Sequence, residues 1–539
     1  MKKHHRILSL ILIAILLLSL TACGAKDTPA STPTPAATPG QSAQPAPPEG
    51  GDQPEAPAST RDTLNIAVTG DSGSINPKNP IWGDFGAIAN MYAEKLWDVD
   101  NEGIKWILAT GVDYISDVLW TIHLRENVYF SNGNPFTAED VFFSWKEVDS
   151  GLFPWCPAAN FPESKIIDDY TIELHLNNWD IGVMNSLSLY PMFDHSTYDA
   201  LEYEFNPIGT GPYLLQTYVI NSHVYLEANP NYWGNPPAIK NLKFYVNSEP
   251  AQRVTALQTG VVDVAAVPNS EVSFIESLPE YKTFLRNSSF ATAVFFNLTS
   301  NSEMSNIDAR YAVAYSVDRE AIKTLVFDGL ASIPTWACSN DVSDFDPRLE
   351  YPNELYRTGY DPELAKQYAE KAGLVDGQEL RIVTDGTTEN ATIAEILQYN
   401  LGQIGIKAVI NNYDAASFLS VIGDPTMSDI YIYVLGSPAR TAATGLHGAI
   451  NLSPVFLEGG WAGYDFFVDK VQEKISNIFD DNERMNLVLE LNKYVSDDLL
   501  FYSFVTPQSA MVCNASLGGV EFIPSPGANT YYNEWYWIS

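Results

Sequence analysis

Residues 379–414 read "ELRIVTDGTTENATIAEILQYNLGQIGIKAVINNYD", and this stretch constrains the fold more than any other. Two short runs rich in Val and Ile flank a longer segment with helical spacing. Strand, helix and strand in that order form a βαβ unit, whose crossover requires the two strands to lie parallel in one sheet. Just before it, "YDPELAKQYAEKAG" predicts a helix stopped by Gly373. Parallel strands with helices on both faces point to α/β lobes.

The N-terminal part of the body carries a different signal. "TLNIAVTG" alternates as a half-buried strand does. "VLWTIHLRENVYFSNGNPFTAEDVFFSWKEV" predicts strand, turn, strand and helix. Asn132-Gly133 supplies the turn. Thr137 is the expected N-cap, with Asp140 at the third helical position as a variant of the capping box. "IIDDYTIELHLNN" predicts a hairpin-like pair, and "NPIGTGPYLLQTYVINSHVYLEANPNYWG" a glycine-rich turn followed by paired strands. Antiparallel pairs in one part and a βαβ unit in another predict mixed sheets.

Neither pattern begins before residue 63. Lys2, Lys3 and Arg6 open the chain, Ile7 to Leu20 is almost wholly apolar, and small residues follow at Thr21 and Ala22. This is the order of a secretory signal, with an apolar core shorter than the roughly 20 residues of a membrane span. Leu20-Thr21-Ala22-Cys23 resembles the lipobox of bacterial lipoproteins. That resemblance implies cleavage before Cys23 and lipidation of its thiol, so that residues 1–22 are removed. Residues 24–61 are rich in Pro, Ala, Thr, Ser, Gly and Gln and contain no aromatic residue. Such a segment buries too little apolar surface to order itself, and is expected to be a tether reaching about 30–60 Å.

Charge and composition remove several functions. The formal charge is −36, and loss of Lys2, Lys3 and Arg6 takes it to about −39. Nucleic acid needs cationic surface, which argues against it as a partner. Beyond Cys23 there are Cys156, Cys338 and Cys513, far apart and without C-x-x-C spacing, so the sequence predicts no disulfide framework and no zinc site; whether any two pair stays open. No H-E-x-x-H, G-x-S-x-G or G-x-x-x-x-G-K occurs, which leaves no positive reason to expect catalysis. His123 and His175 alternate with apolar residues and are expected to be strand residues. With 12 Trp, 29 Tyr and 25 Phe, the body has aromatic residues for a large core and for a ligand.

Four ordered blocks carry a family resemblance. They are "WTIHLRENVYFSNGNPFTAEDVFFSW", "IGTGPYLL…LEANPNYW" followed by "RVTALQTGVVDVA", "IDARYAVAYSVDREAI…FDGLA", and "FVDKVQEKISNIFDDNERMNLVLELNKYVSDDLLFYSF". The chain resembles the extracellular solute-binding proteins of family 5, the peptide/nickel type, which feed ABC transporters. The resemblance runs from about Leu64 to beyond Phe504. It implies an α/β, periplasmic-binding-protein-like fold (class II, cluster C type): a two-lobed venus-flytrap with mixed sheets and an extra small domain. The implied boundaries are 62–93, 207–288 and 507–539 for lobe I, 94–206 for the extra domain II and 289–506 for lobe III. The chain would cross between lobes near Ser289 and near Thr506.

The same resemblance suggests the ligand-binding residues. Gly73, Ser74 and Ile75 match a loop that often contacts a peptide backbone. Trp461 and Tyr464 match a segment that often lines the cavity, and Trp336 lies in a variable segment that is a further candidate. Gly209 to Tyr213 is a family hallmark, expected to define the fold rather than bind. Peptide-binding members usually carry an acid for the ligand's α-ammonium in a "W-x-x-D-Y"-like segment. Here Asp429 opens the strand, but Leu435 is followed by Gly436-Ser437-Pro438-Ala439-Arg440. Ser437 and Arg440 thus become ligand candidates, and Arg440 suits a carboxylate better than an ammonium group. The expected function is capture of an oligopeptide for an ABC importer, with no catalytic residue, cofactor or resident metal. The expected protein is a monomer on the outer face of the cytoplasmic membrane, touching the membrane only through its N-terminal lipid and the permease subunits. An oligosaccharide or other non-peptide solute, or a role as a surface sensor, is the alternative.

Overall fold

A computed structural model describes residues 61–78, 84–100, 103–149, 156, 158–180, 182–374, 379–436, 441–452, 460–472, 474–520 and 530–538. Cys23, the signal and the tether lie outside the described residues, as do Ser437 and Arg440.

The βαβ unit forms as expected. Glu379–Thr384 and Lys407–Asn412 pair in parallel, with the helix Thr388–Gln403 between them. Thr387 caps that helix, its hydroxyl accepting from the N–H of Asn390. These strands begin a sheet of twelve. From Lys407–Asn412 the order runs through Glu379–Thr384, Ile430–Leu435, Ala291–Phe296, Phe501–Asn514, Val264–Val267, Thr63–Val68, Asn241–Val246 and His223–Ala228 to Tyr213–Val219. Tyr281–Asn287 and Ala331–Ser332 pair with the long strand Phe501–Asn514 off this path. Thr63–Val68 lies parallel to both its neighbours, whereas the pairings of Phe501–Asn514 are antiparallel, so the sheet is mixed.

Burial follows the side-chain period. Leu119–Leu124 alternates half-buried and buried positions, and Ala291–Phe296 in mid-sheet is buried throughout. Leu119–Leu124 belongs to a separate antiparallel sheet with Ala109–Tyr114, Thr171–His175 and Lys165–Asp168. His123 and His175 are strand residues of this sheet, each with its Nε2 2.9 Å from a carboxylate oxygen, of Asp113 and Glu173 respectively. The expected capping box is present at Ala138–Val148: the Asp140 carboxylate accepts from the Thr137 N–H at 2.8 Å. One expected strand is absent. Around Val128–Phe130 only an isolated bridge, Tyr129 to Pro135, forms, because Phe130 spends both backbone groups on the Asn132-Gly133 turn, its carbonyl accepting from the Gly133 N–H and its N–H donating to the Asn134 carbonyl.

The buried apolar residues separate into clusters by chain segment. One contains residues between Leu96 and Tyr203 and a second residues between Ala291 and Val505. Two further clusters draw on residues 64–93, 213–275 and 510–537. Gly209 and Gly211 join the first of these bodies to the last. A Cβ at Gly209 would lie 1.9 Å from the Tyr92 carbonyl oxygen, and one at Gly211 2.4 Å from that of Met91. Only glycine permits this approach, which is the fold-defining role expected of the "GTGPY" segment.

Candidate functional site

Two short stretches of chain link the 291–505 cluster to the 64–93/213–275/510–537 body, and they lie side by side. One is Ser288–Ser289–Phe290, between Tyr281–Asn287 and Ala291–Phe296. The other is the middle of Phe501–Asn514, which pairs with Ala291–Phe296 through Val505 and with Tyr281–Asn287 from Gln508 onward. The crossings are pinned to each other. The Ser288 N–H donates to the Pro507 carbonyl at 3.0 Å, and the Gln508 amide donates to Asn287 Oδ1 at 2.6 Å. The Ser339 hydroxyl donates to the Ser288 carbonyl at 3.1 Å.

Gly436 sits against this crossing with φ +155°. A Cβ there would lie 2.8 Å from both the Ser289 carbonyl oxygen and Phe290 Cδ1. The conformation and the space both demand glycine. The strand Ile430–Leu435 therefore ends directly at the crossing.

The same cluster also meets the 96–203 body. The Asn178 amide donates to Asn477 Oδ1 at 2.9 Å, and Trp179 meets Phe479 edge-on with ring centroids 4.7 Å apart. Asp180, next in sequence, takes the Gly182 N–H at 2.7 Å. Burial pushes its carboxyl pKa upward, against the pull of that N–H and of the facing His447. His447 stands on the helix Ala442–Leu452, its Nε2 2.8 Å from the Gln472 carbonyl. The N-terminus of that helix meets another acid: Asp344 accepts the Ala442 N–H at 2.6 Å, and burial raises its pKa too. Asp429 is spent inside the fold, bonded to Arg381 at 2.9 Å (N–H) and 3.0 Å (Nε) and to Ser302 at 2.8 Å.

The candidates from sequence fall into two groups. Gly73, at φ +77°, donates its N–H to Asp71 Oδ1 at 2.7 Å, and Ser74 donates to Glu204 at 2.6 Å. Ile75 is fully buried and its carbonyl accepts from the Tyr92 hydroxyl at 2.5 Å. This loop is thus tied to its own body and to the 96–203 body, and the Ile75 side chain is core. Trp336, Trp461 and Tyr464 all pack in the 291–505 cluster. Trp336 departs from the expected cleft position: it is 0 % exposed and its indole N–H is satisfied by the Ser339 carbonyl at 3.0 Å. Trp461 is also nearly buried, against Phe467 and Tyr464, with ring centroids 6.0 and 6.4 Å away. Asp180 and Asp344 are carboxyls that burial shifts upward in this region, and the sequence alone singles out neither. The hint available in sequence was an acid directly after an aromatic at a strand end, in "NNWD".

Comparison with known proteins gives the frame. The model of the bacterial extracellular solute-binding proteins, family 5 (middle region), matches residues 103–439. The nickel-binding periplasmic protein of Escherichia coli (strain K12) is 24 % identical over 508 residues, covering 87 % of this chain and 93 % of that protein. The ABC transporter substrate-binding protein CtaP of Listeria monocytogenes superposes with a TM-score of 0.74 at 19 % identity, over 89 % of this chain and all of that one. The periplasmic binding protein DppA of Helicobacter pylori, solved with the peptide STSA, superposes with a TM-score of 0.67 at 20 % identity, over 88 % of this chain and 98 % of the other.

Proposed function

The chain belongs to the bacterial extracellular solute-binding proteins of family 5, and from that premise we propose that it captures an oligopeptide between two lobes and hands it to an ABC importer. The observation that supports this most is the pair of adjacent strand crossings at Ser288–Phe290 and Thr506–Pro507. Two neighbouring links between separately packed bodies are the mechanical requirement for hinge closure. We take 62–93, 207–288 and 507–539 as lobe I, 94–206 as domain II and 289–506 as lobe III. Binding requires no chemistry on the ligand. Closure buries it, and the closed shape is what the permease meets.

In this reading the cleft is lined by the backbone of Gly73 and Ser74 on one side and by Ser437, Arg440, Trp461 and Tyr464 on the other. An extended peptide would be held through its main chain, with side chains in pockets. Cys23 carries the lipid and residues 24–61 hold a monomeric body clear of the membrane; among the described residues no helix is long and apolar enough to cross it.

Native mass spectrometry of the purified protein, followed by denaturation, tests the reading. Released short peptides support it. A single non-peptide mass keeps capture and overturns the peptide assignment. For protein that purifies empty, peptide and oligosaccharide panels follow by thermal shift, where a ligand at 100 times its Kd adds about 2.7 kcal/mol. No shift with any class would sink capture itself.

A further inference from the structure

A cavity of about 440 Å³ lies within the 291–505 body, walled by the start of the helix Arg319–Phe327, by residues 333–335 and by residues 351–360. Its size is that of a small-molecule pocket. Arg319 forms part of its wall and is only 8 % exposed. One of its nitrogens is used: Nη1 donates to the Pro334 carbonyl at 3.0 Å and to that of Ser503 at 3.5 Å, while the guanidinium stands 4.9 Å from the Tyr502 ring centroid. Among the described residues Nε and Nη2 make no hydrogen bond and no carboxylate lies within ion-pair distance. A buried guanidinium without a counter-charge is costly. Nη2 lies 3.7 Å from the position of a Cβ on Gly359, another cavity residue.

Three further features converge here. Arg357 is an exposed cavity residue with no ion-pair partner among the described residues. Tyr351 holds φ +52°, a strained conformation for a bulky residue, fixed by its N–H to the Thr335 carbonyl at 2.7 Å. Tyr351 and Tyr360, each nearly half exposed, give the cavity aromatic faces. Two acids also line it. Asp318 is spent as the helix cap, accepting from the Ala321 N–H at 2.8 Å, and Glu320 points from the first turn into solvent.

We infer that this cavity is a second binding site, separate from the interlobe cleft, for a small molecule bearing a carboxylate or phosphate. The oxyanion takes the open Nε and Nη2 edge of Arg319, a planar fork that matches two oxygens, and Arg357 closes over it. The apolar part of the ligand rests on the tyrosines.

Isothermal titration calorimetry of the full-length protein with inorganic phosphate, acetate and phenylacetate tests this, each probe separating one source of the oxyanion. The expected result is saturable one-site binding of at least one probe, despite a net charge that repels anions at long range. Arg357→Ala should weaken it by about tenfold or more, and Arg319→Lys, which keeps the charge and loses the fork, by a similar factor. Thermal melts check that both variants fold, and Arg357, being exposed, carries the test if Arg319→Lys does not. Saturation of the cleft with a peptide that binds there should leave the oxyanion heat unchanged. No saturable heat with any probe, displacement by the cleft ligand, or equal binding by Arg357→Ala would each overturn the assignment. The titrations and the Arg357→Ala comparison do not depend on whether the cleft takes peptides; only the displacement control does.

Discussion

Phe479 and Trp179 meet edge to face, 4.7 Å between ring centroids, although 300 positions separate them in the chain and Phe479 leaves half its surface in solvent. The contact joins the 96–203 body to the 291–505 body. Under the proposed closure about the strand crossings, this contact is one that the moving bodies make on closing and break on opening.

Phe479→Ala should therefore act on ligand release more than on folding. An aromatic pair contributes about 0.5–1.5 kcal/mol beyond its area, which corresponds to a dissociation rate raised about 2- to 12-fold. Stopped-flow displacement of a bound ligand reads this directly. An unchanged release rate with a lowered melting temperature would make the pair a packing contact and nothing more.

Gly436→Ala tests the crossing itself. The new methyl would sit 2.8 Å from the Ser289 carbonyl oxygen and Phe290 Cδ1, at a φ that L-residues avoid. A loss of about 1–3 kcal/mol in urea unfolding is expected, together with weakened ligand binding, because Gly436 directly precedes the proposed cleft residues Ser437 and Arg440. Gly402→Ala is the control: a Cβ there meets nothing within 4 Å, and helix propensity favours it.

Local structure was legible where local physics decides it. The βαβ unit 379–412, the Thr137–Asp140 cap and the Gly373 stop needed only periodicity and capping chemistry. Val128–Phe130 misled because a strand-like run next to Asn-Gly can equally close a tight turn on itself. The site was harder. Trp336 and Trp461 read alike in sequence, as aromatics that could line a cleft or fill a core, and tertiary packing alone put Trp336 at full burial. Asp180 and His447 stand 267 positions apart, and no local pattern links an acid after a strand to a histidine on a distant helix.

The three described cysteines should resist alkylation in the native protein. All are buried and free. Burial pushes the thiols of Cys156 and Cys513 up to about 12 and about 11, and Cys338 is raised likewise, so almost no thiolate exists at pH 8. Iodoacetamide followed by intact mass should add nothing at these three positions until denaturant is present. Labelling of Cys338 without denaturant would mean that the packing around Trp336 opens in solution.

Glu94 gives stability a pH dependence of unusual sign. Its carboxylate is buried between three donors, the Tyr232 hydroxyl at 2.7 Å and the Thr210 hydroxyl and Trp233 indole N–H at 2.8 Å each. Burial outweighs these donors and lifts its pKa to about 7. A carboxyl raised on folding binds more protons in the native than in the unfolded state between pH 4.5 and 7, so its contribution is full below the unfolded value and is lost as pH rises through 7. The change amounts to up to about 3 kcal/mol. His195, raised mainly by its hydrogen bond to Asp140, works in the same direction from its ordinary value upward. Urea unfolding from pH 4.5 to 8 should show the wild type losing stability relative to Glu94→Gln as pH rises, because glutamine cannot ionise, while His195 is common to both. A difference that stays flat across that range would mean that Glu94 is ionised throughout, with water reaching it through the adjoining cavity of about 150 Å³.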